Sequence, residues 1–370
     1  MDFNILVAIN ELQTIKESFT ESLSAAAYHK KTSIAFIENP LPKHILQKDS
    51  TFQVISIGGS VFEKAIVEYI NNKVELIDFQ KKTLPQLKTK EIIFSFIATN
   101  FNPIFSKLAL NFAYPLQPLF RHDNLDGILL KATKQHTFIG LVGEAVGHEL
   151  EKYLSEKYNK KITVTVANDT VCLVLSGLAE SFQNSPKYPL SSLVGGIIGT
   201  GMNFGFFLNE NTVINLESGN FKNFSQTESG KYIDAQSNNT GEQLYEKEVS
   251  GAYLYQHFNY YVKKFGIQSP ILTSTEQLNH LLDPGAVVSN LAKHLIERSA
   301  AFTACQIAGI YSFKNNVLNV VMEGSLFWNG FQYREGVEKY LLALGVPTEA
   351  VKFIKIEKSA VKGAACLALR

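Results

Sequence analysis

Cysteine is scarce in this sequence, and its three copies are widely spaced. Cys172, Cys305 and Cys366 each lie in an apolar segment, far from one another. This spacing excludes a disulfide framework and a cysteine-rich metal site, and it indicates buried free thiols in a reducing compartment. The eight histidines show no metal-ligand spacing either. The sequence therefore predicts no metal-ligating residues.

Excess charge of one sign and long apolar runs are also missing. The 35 Lys and Arg residues against 34 Asp and Glu leave a net charge of +1, which gives no sign of a nucleic-acid or membrane partner. No uninterrupted apolar run is long enough to span a bilayer. The first residues include Asp2 and Glu11 and lack the basic start and cleavage site of a secretory signal. We therefore expect a cytoplasmic location.

A β-meander that begins with a glycine-rich turn occurs twice in the 370 residues. The strand from Phe52 ends at Gly58-Gly59-Ser60, and strands at 61–69 and 74–79 follow. After Ser192 another apolar strand ends at Gly199-Thr200-Gly201, and strands at 204–208 and 213–216 follow. Two copies of one unit, each followed by helix and strand material, predict an α/β fold of two similar lobes with a cleft between them.

A carboxylate stands where a predicted strand meets a predicted helix. Residues 162–167 alternate as a half-buried strand, and apolar residues recur at helical spacing after Asn168-Asp169-Thr170. Either Asn168 or Asp169 merely caps the helix, or the carboxylate is a reactive group of the kind that α/β proteins place at strand ends. For an isolated pair the cap is the better interpretation, and the rest of the sequence reverses that preference.

Other segments give weaker predictions. We expect a strand at Glu91–Ile97, a helical stretch from there through Leu110, and a helix over Phe138–Tyr158. Thr240 is expected to cap a helix that begins at Gly241. A long helix is expected around Val287–Ile310.

Glycine turns and scattered polar residues suggest two kinds of ligand. Backbone N–H groups in a glycine turn can approach an anion closely, so the two turns are candidates for a nucleotide phosphate. Sugar hydroxyls both donate and accept hydrogen bonds, so a polyol site needs carboxylates and amides. The candidates are Asn168, Asp169, Asn203, Glu217 and Glu246. Capping or surface exposure would explain each of these residues equally well if it stood alone.

Six short segments, in order and spacing, carry a family resemblance. They are Leu125-Asp126-Gly127-Ile128 with Thr133-Lys134, Asn168-Asp169-Thr170, Gly199-Thr200-Gly201-Met202-Asn203, Gln243-Leu244-Tyr245-Glu246-Lys247, Glu323-Gly324-Ser325 and Lys362-Gly363-Ala364-Ala365. Together they resemble the hexokinase family, the eukaryotic-type sugar kinases, from about Phe19 to the C-terminus. The central motifs are specific to the family, whereas the glycines alone are not.

The resemblance implies a two-lobed actin-like ATPase (ribonuclease H-like) fold and transfer of phosphate from ATP, with Mg²⁺, to the 6-hydroxyl of a hexose, with glucose as the expected one. It implies that Asp169 is the general base and that Lys134 contacts both the sugar and the transferring phosphoryl group. The other implied sugar contacts are Thr133, Asn168, Asn203, Glu217 and Glu246. The implied ATP contacts are Gly58, Gly59, Ser60, Gly199, Thr200, Gly201, Gly324 and Ser325. The expected lobes are 51–168 with 357–370 and 1–50 with 169–356.

Departures from the family pattern concentrate where the family binds phosphate. Ser56 stands where the family has an aspartate that helps to hold Mg²⁺, and Glu63 stands where it has an arginine. Ala252 replaces an expected lysine, and Glu323 replaces an aspartate. A sugar-binding protein that transfers phosphate poorly, acting as a sensor or scaffold, is therefore the alternative to an active kinase.

Overall fold

The structure, a computed structural model, describes residues 5–42, 50–70, 73–132, 136–179, 188–282 and 287–369. Its strands, numbered in chain order, are β1 (Ile37–Pro40), β2 (Ser50–Ile57), β3 (Val61–Ile70), β4 (Lys73–Thr83), β5 (Lys107–Phe112), β6 (Leu116–Arg121), β7 (Asn124–Leu129), β8 (Thr163–Ala167), β9 (Leu193–Ile198), β10 (Met202–Asn209), β11 (Thr212–Asn215), β12 (Leu318–Glu323) and β13 (Val351–Ile354).

The helices are numbered in the same way. They are α1 (Ile9–Ala27), α2 (Lys90–Asn100), α3 (Val146–Tyr158), α4 (Asp169–Ala179), α5 (Glu228–Gln236), α6 (Leu244–Val249), α7 (Leu254–Phe265), α8 (Glu276–Asn279), α9 (Val287–Lys314), α10 (Ser325–Asn329), α11 (Tyr333–Ala343) and α12 (Ser359–Leu369).

The chain divides into two compact units. Unit 1 comprises Met1–Phe36, Gly196–Phe204 and Leu216–Ile354. Unit 2 comprises Ile37–Gly195, Gly205–Asn215 and Lys355–Arg370. The lobe boundaries given above stay a prediction.

A five-stranded sheet in the order β4-β3-β2-β5-β8 organises unit 2. Strands β2, β3 and β4 are antiparallel neighbours, which is the predicted first meander, whereas β5 and β8 run parallel to β2. One face of this sheet and helices α2 and α3 enclose a fully apolar core. Its members include Ile55, Ile57, Phe62, Ile93, Phe94, Ile97, Leu108, Leu110, Leu150 and Leu154. Helix α12 packs on β2, β5 and β8 and against α4.

A second sheet has the strand order β1-β11-β10-β9-β12-β13 and contains the predicted second meander, β9 to β11. Strands β10 and β11 are antiparallel, and β12 and β13 are parallel. In unit 1 the long helix α9 contacts α1, α6, α7 and α11. Most of its residues from Leu291 to Ile310 are buried, so α9 forms the centre of the helical part of this unit.

Several predictions for individual elements are wrong. The segment expected as a strand at Glu91–Ile97 is helix α2, and the expected helical stretch through Leu110 ends in strand β5. Helix α3 begins at Val146 instead of Phe138, because Gly140 and Gly143 adopt positive φ angles of 82° and 90° that a helix excludes.

The helix expected from Gly241 begins only at Leu244. Gln243, not Thr240, precedes its first turn, and the Thr240 hydroxyl instead donates to the carbonyls of Asp234 and Ser237. The predictions of buried free thiols and of the strand-to-helix junction are confirmed, since Cys172, Cys305 and Cys366 are buried and not disulfide-bonded and α4 begins at Asp169. None of the helices in the described part of the chain combines the length and the apolar character needed to cross a membrane.

Candidate active site

Asn168 and Asp169 lie where β8 ends and α4 begins in unit 2. Asn168 is buried; its Oδ1 accepts from the Thr170 N–H at 2.9 Å and its Nδ2 donates to the Tyr114 carbonyl at 3.2 Å. The Asp169 Oδ1 accepts from the same N–H at 2.8 Å, and its side chain is half-buried. Asn168 therefore caps the helix, and the Asp169 carboxylate is fixed at the carboxyl end of a parallel strand.

Close helix packing fixes the position of α4. A Cβ atom added to Gly363 of α12 would lie 1.8 Å from the Cys172 carbonyl oxygen, so the backbones of α12 and α4 touch there. Gly205 of β10 also packs closely against α4, because an added Cβ would lie 2.8 Å from the Thr170 Cγ2. The glycine of the Lys362-Gly363-Ala364-Ala365 motif thus supports the helix that carries Asp169.

The Gly58-Gly59-Ser60 turn joins β2 to β3, and the Gly58 N–H donates to the Val61 carbonyl at 2.9 Å. Two side chains that sequence reasoning missed contact this turn. The Tyr114 hydroxyl donates to the Gly58 carbonyl at 2.8 Å, and the His136 Nε2 lies 3.1 Å from the Gly59 oxygen. Burial and, after it, the charge of Asp169 raise the pKa of Tyr114 above its usual range, so the hydroxyl keeps its proton.

Ser56 and Glu63, the two departures from the family pattern, face each other across β2 and β3. The Ser56 hydroxyl accepts a hydrogen bond from the Asn111 Nδ2 at 3.0 Å, and both side chains are buried. The Glu63 carboxylate is 3.0 Å from the Lys81 ammonium on β4. A neutral pair and an ion pair therefore occupy the positions at which the family has an aspartate and an arginine.

The Gly199-Thr200-Gly201 turn lies between β9 and β10 in unit 1. The Gly199 and Thr200 carbonyls accept from the N–H groups of Gly251 and Ala252, at 2.7 and 3.2 Å. A Cβ added to Gly324 would lie 2.1 Å from the Ile198 oxygen, so the Gly324-Ser325 backbone runs directly beside this turn. The structure thus brings together the predicted phosphate turn and the predicted adenosine residues of unit 1.

Glu246, Asn203 and Glu217 lie next to the same turn. The Glu246 Oε2 accepts from the Met202 N–H at 2.9 Å, and a Cβ added to Gly201 would lie 2.9 Å from that oxygen. The Asn203 Oδ1 accepts from the Ser218 N–H at 3.1 Å, which ties β10 to the residue after Glu217. Glu217 itself has φ 46°, a left-handed conformation that non-glycine residues adopt mainly where tertiary contacts impose it.

Buried polar contacts hold the short helix α6, which carries Glu246. The Lys247 ammonium, fully buried, is 2.7 Å from an Asp234 carboxylate oxygen, and the Tyr245 hydroxyl donates to the Phe302 carbonyl. The buried Glu248 carboxylate accepts from the Thr227 hydroxyl at 2.8 Å. Burial raises the pKa of Glu248, although the nearby Arg298 guanidinium opposes that change. These contacts are available only when α5, α6 and α9 have assembled.

The predicted site residues fall into three groups. Unit 1 holds Asn203, Glu217, Glu246, Gly199, Thr200, Gly201, Gly324 and Ser325 close to one another. Unit 2 holds Asn168 and Asp169, which Tyr114 links to the Gly58-Gly59-Ser60 turn. Thr133 and Lys134 lie outside the described residues.

Comparison with known sequences points to one family. A family model described as Hexokinase matches residues 193–285 and 266–370. Hexokinase-7 of Oryza sativa subsp. japonica is 25% identical over 281 residues, which cover 67% of this chain and 58% of that protein. The hexokinase of Toxoplasma gondii is 28% identical over 247 residues, covering 55% and 52%. The chain spans about half the length of the curated relatives it matches.

Comparison with solved structures agrees on the fold. A hexokinase from Schistosoma mansoni complexed with glucose superposes with a TM-score of 0.77 at 21% identity, covering 98% of this chain and 96% of that one. The structure is an α/β fold of the actin-like ATPase class, as the family resemblance of the sequence implies.

Proposed function

Because the chain belongs to the hexokinase family, we propose that it transfers the γ-phosphoryl group of ATP to the 6-hydroxyl of a hexose, with glucose as the first substrate to test. The observation that carries this proposal is the half-buried Asp169 carboxylate at the start of α4, beside the buried Asn168 cap. A general base for a sugar hydroxyl needs such a group, positioned by backbone and not by a mobile loop.

Asp169 takes the proton of the sugar hydroxyl as the hydroxyl oxygen bonds to the γ-phosphorus of ATP. The bond between that phosphorus and the bridging oxygen breaks, and ADP leaves with the electron pair. Asn168, Asn203, Glu217 and Glu246 hold the other sugar hydroxyls, and backbone N–H groups of the glycine turns face the phosphates. Phosphoryl transfer depends mostly on such positioning and charge stabilisation.

Magnesium belongs to this reaction as the ion that ATP carries. Within the described ranges, no cluster of His, Cys, Asp and Glu side chains could hold a metal ion. At the end of β2, Ser56 offers only a hydroxyl, which is already bonded to Asn111, and Glu63 is paired with Lys81. These residues do not fit a protein-held Mg²⁺, so the phosphates and water would supply the ligands of the ion.

The second candidate function is a hexose-binding protein that transfers phosphate poorly. The specific observation in its favour is the neutral Ser56–Asn111 pair and the Glu63–Lys81 ion pair, which leave no cation from position 63 for a triphosphate. The retained Asp169 and the Gly199-Thr200-Gly201 turn favour the kinase.

A coupled assay with glucose and MgATP, run beside calorimetry with glucose alone, separates the two functions. An active kinase binds glucose and forms glucose 6-phosphate with turnover above a heat-inactivated control. A sensor binds glucose and forms no product. A chain that binds no glucose, and none of mannose, fructose or galactose in the same experiment, would contradict both.

A further inference from the structure

The carbonyl groups of the Gly58-Gly59-Ser60 turn are all engaged by other parts of unit 2. The Gly58 oxygen accepts from the Tyr114 hydroxyl at 2.8 Å, and the Ser60 oxygen accepts from the Leu84 N–H at 2.8 Å. The Gly59 oxygen lies 3.1 Å from the His136 Nε2. Tyr114 and His136 are both buried.

The histidine acts as a donor to this turn. Its Nδ1 accepts from the Leu87 N–H at 2.9 Å, so in the neutral ring the proton is on Nε2 and points to the Gly59 oxygen. The ring also stacks on Phe138 with an interplanar angle of 8°. Both ring nitrogens and one ring face are thereby used to hold one orientation.

The directions of the Gly58 and Gly59 carbonyl groups determine the directions of the N–H groups that follow them. In a trans peptide the carbonyl of one residue and the N–H of the next point in opposite directions, and no cis peptide occurs in the described residues. Because the Gly58 and Gly59 oxygens point to buried rings, the N–H groups of Gly59 and Ser60 point away from them. In the part of the chain that the structure describes, no residue accepts a hydrogen bond from either N–H. Successive N–H groups aimed outward form a site for an anion.

The second glycine turn has the same arrangement with different donors. The carbonyls of Gly199 and Thr200 are held by the N–H groups of Gly251 and Ala252, so backbone alone orients the peptides of that turn. Ala252, which replaces the lysine of the family pattern, thus holds this turn through its backbone N–H and not through its side chain. The first turn depends on side chains, which can be changed one atom at a time.

We propose that Tyr114 and His136 are positioning residues for the phosphoryl donor, because they orient the N–H groups of Gly59 and Ser60 toward its phosphates. This inference rests on the proposed function. It also connects the donor turn to the base, because the Tyr114 carbonyl accepts from the Asn168 Nδ2 at 3.2 Å while the Tyr114 hydroxyl holds Gly58. Neither side chain touches the reacting atoms in this account.

The test uses Tyr114→Phe, which removes only the hydroxyl and keeps the ring packed on Phe112 and Phe138, at centroid distances of 4.7 Å each. Tyr158→Phe is the matched control, since the Tyr158 hydroxyl donates to the Ala98 carbonyl at 2.9 Å elsewhere in unit 2. We expect Tyr114→Phe to raise KM for MgATP about two- to tenfold, the effect of one hydrogen bond. The Kd of glucose measured by calorimetry should not change.

His136→Phe should raise KM for MgATP by a similar factor. It should also lower Tm more than Tyr114→Phe does, because the Leu87 N–H loses its acceptor. Tyr158→Phe should lower Tm without changing KM for MgATP. An active wild-type enzyme whose Tyr114→Phe variant keeps an unchanged donor KM would overturn the inference and leave the proposed function intact. A wild-type chain that binds glucose but neither binds nor uses MgATP would overturn both.

Discussion

Asp169 is the single residue on which the proposed chemistry depends most directly. If it takes the proton of the sugar hydroxyl, Asp169→Asn should lower kcat by at least about a hundredfold while the Kd of the hexose changes far less. An asparagine keeps the size of the side chain and the oxygen that accepts from the Thr170 N–H at 2.8 Å. The assay is steady-state kinetics with glucose and MgATP, beside calorimetry with glucose.

Asp123→Asn is the control for the loss of a carboxylate, because Asp123 is exposed in the same unit and has φ 60°, which asparagine tolerates. Its kcat should equal that of the wild type. Near-normal turnover in Asp169→Asn would leave this carboxylate as a second helix cap beside Asn168.

Glu246 and Glu217 are expected to bind sugar hydroxyls. Glu246→Gln and Glu217→Gln should each weaken hexose binding by about 1–3 kcal/mol, because a buried hydroxyl loses a charged acceptor. Glu242→Gln, on the exposed side of the same segment as Glu246, is the control and should not change the Kd. Calorimetry decides, and an unchanged affinity in both variants would remove these glutamates from the sugar site.

Local sequence patterns identify the motif residues. They do not identify the residues that hold those motif residues in place. Asn168, Asp169 and the glycine turns can be recognised because each has a local pattern. Tyr114 and His136 have none, since they lie 56 and 77 positions from the turn residues that they contact. Asp126 stands in one of the recognised motifs, but its role has no local pattern: it is nearly fully buried and accepts from the N–H groups of Gly147 and His148, capping α3 from a distant strand.

At the scale of elements, the contact between α12 and α4 depends on Gly363. An added Cβ would lie 1.8 Å from the Cys172 oxygen, and backbone cannot move aside as a flexible side chain can. Gly363→Ala should therefore lower the free energy of unfolding by about 3 kcal/mol or more, the range of severe overpacking. Denaturant unfolding followed by circular dichroism measures it.

Gly336→Ala in α11 is the matched control, because its added Cβ would meet only the Ala300 Cβ at 3.1 Å. Alanine favours a helix over glycine, so this variant should change stability by no more than about 1 kcal/mol. Equal stability of the two variants would mean that α12 shifts without cost and does not fix the position of α4.

Helix α2 and strand β5, for which the predicted type of element is wrong, illustrate why short apolar runs mislead. The run from Ile92 to Ile97 has too few polar residues to reveal its period. Thr89 caps the helix, its hydroxyl accepting from the Ile92 N–H, and Ile93, Phe94 and Ile97 pack in the core of unit 2. Strand β5 lies between two parallel neighbours and is buried on both faces, so it lacks the alternation that marks a strand. In both cases the deciding information lies outside the segment.

At the scale of the whole molecule, the repeated meander was predictable because each copy has the same order of strand, glycine turn and two further strands. What the sequence leaves open is whether the altered phosphate-binding positions still serve a kinase. The structure shows that Ser56 and Glu63 are integrated into the sheet, through Asn111 and Lys81, and are not loose substitutions. Their effect on phosphoryl transfer can therefore be tested by changing them together.

We expect Ser56→Asp with Glu63→Arg to raise kcat/KM for MgATP if the chain is a slow kinase or a kinase whose preference for the phosphoryl donor has changed. The two positions are register partners on β2 and β3, so the new carboxylate and guanidinium face each other at the end of the strand that leads into Gly58. Thr51→Asp with Glu68→Arg is the matched control, since these residues are register partners on the same two strands, nearer the other end. The control makes the same change in net charge away from the turn and should leave kcat/KM unchanged.

Three results of that experiment have different meanings. A rise from a measurable wild-type rate, with glucose affinity unchanged, supports a kinase whose phosphate-binding positions are weakened; the gain should shrink in salt if the new guanidinium acts from an exposed rim. A rise from no detectable transfer identifies a hexose sensor that lost its donor site. An ordinary wild-type rate that falls in the double variant would contradict the idea of weakening, because the Ser56–Asn111 and Glu63–Lys81 pairs would then be parts of a rearranged but functional donor site.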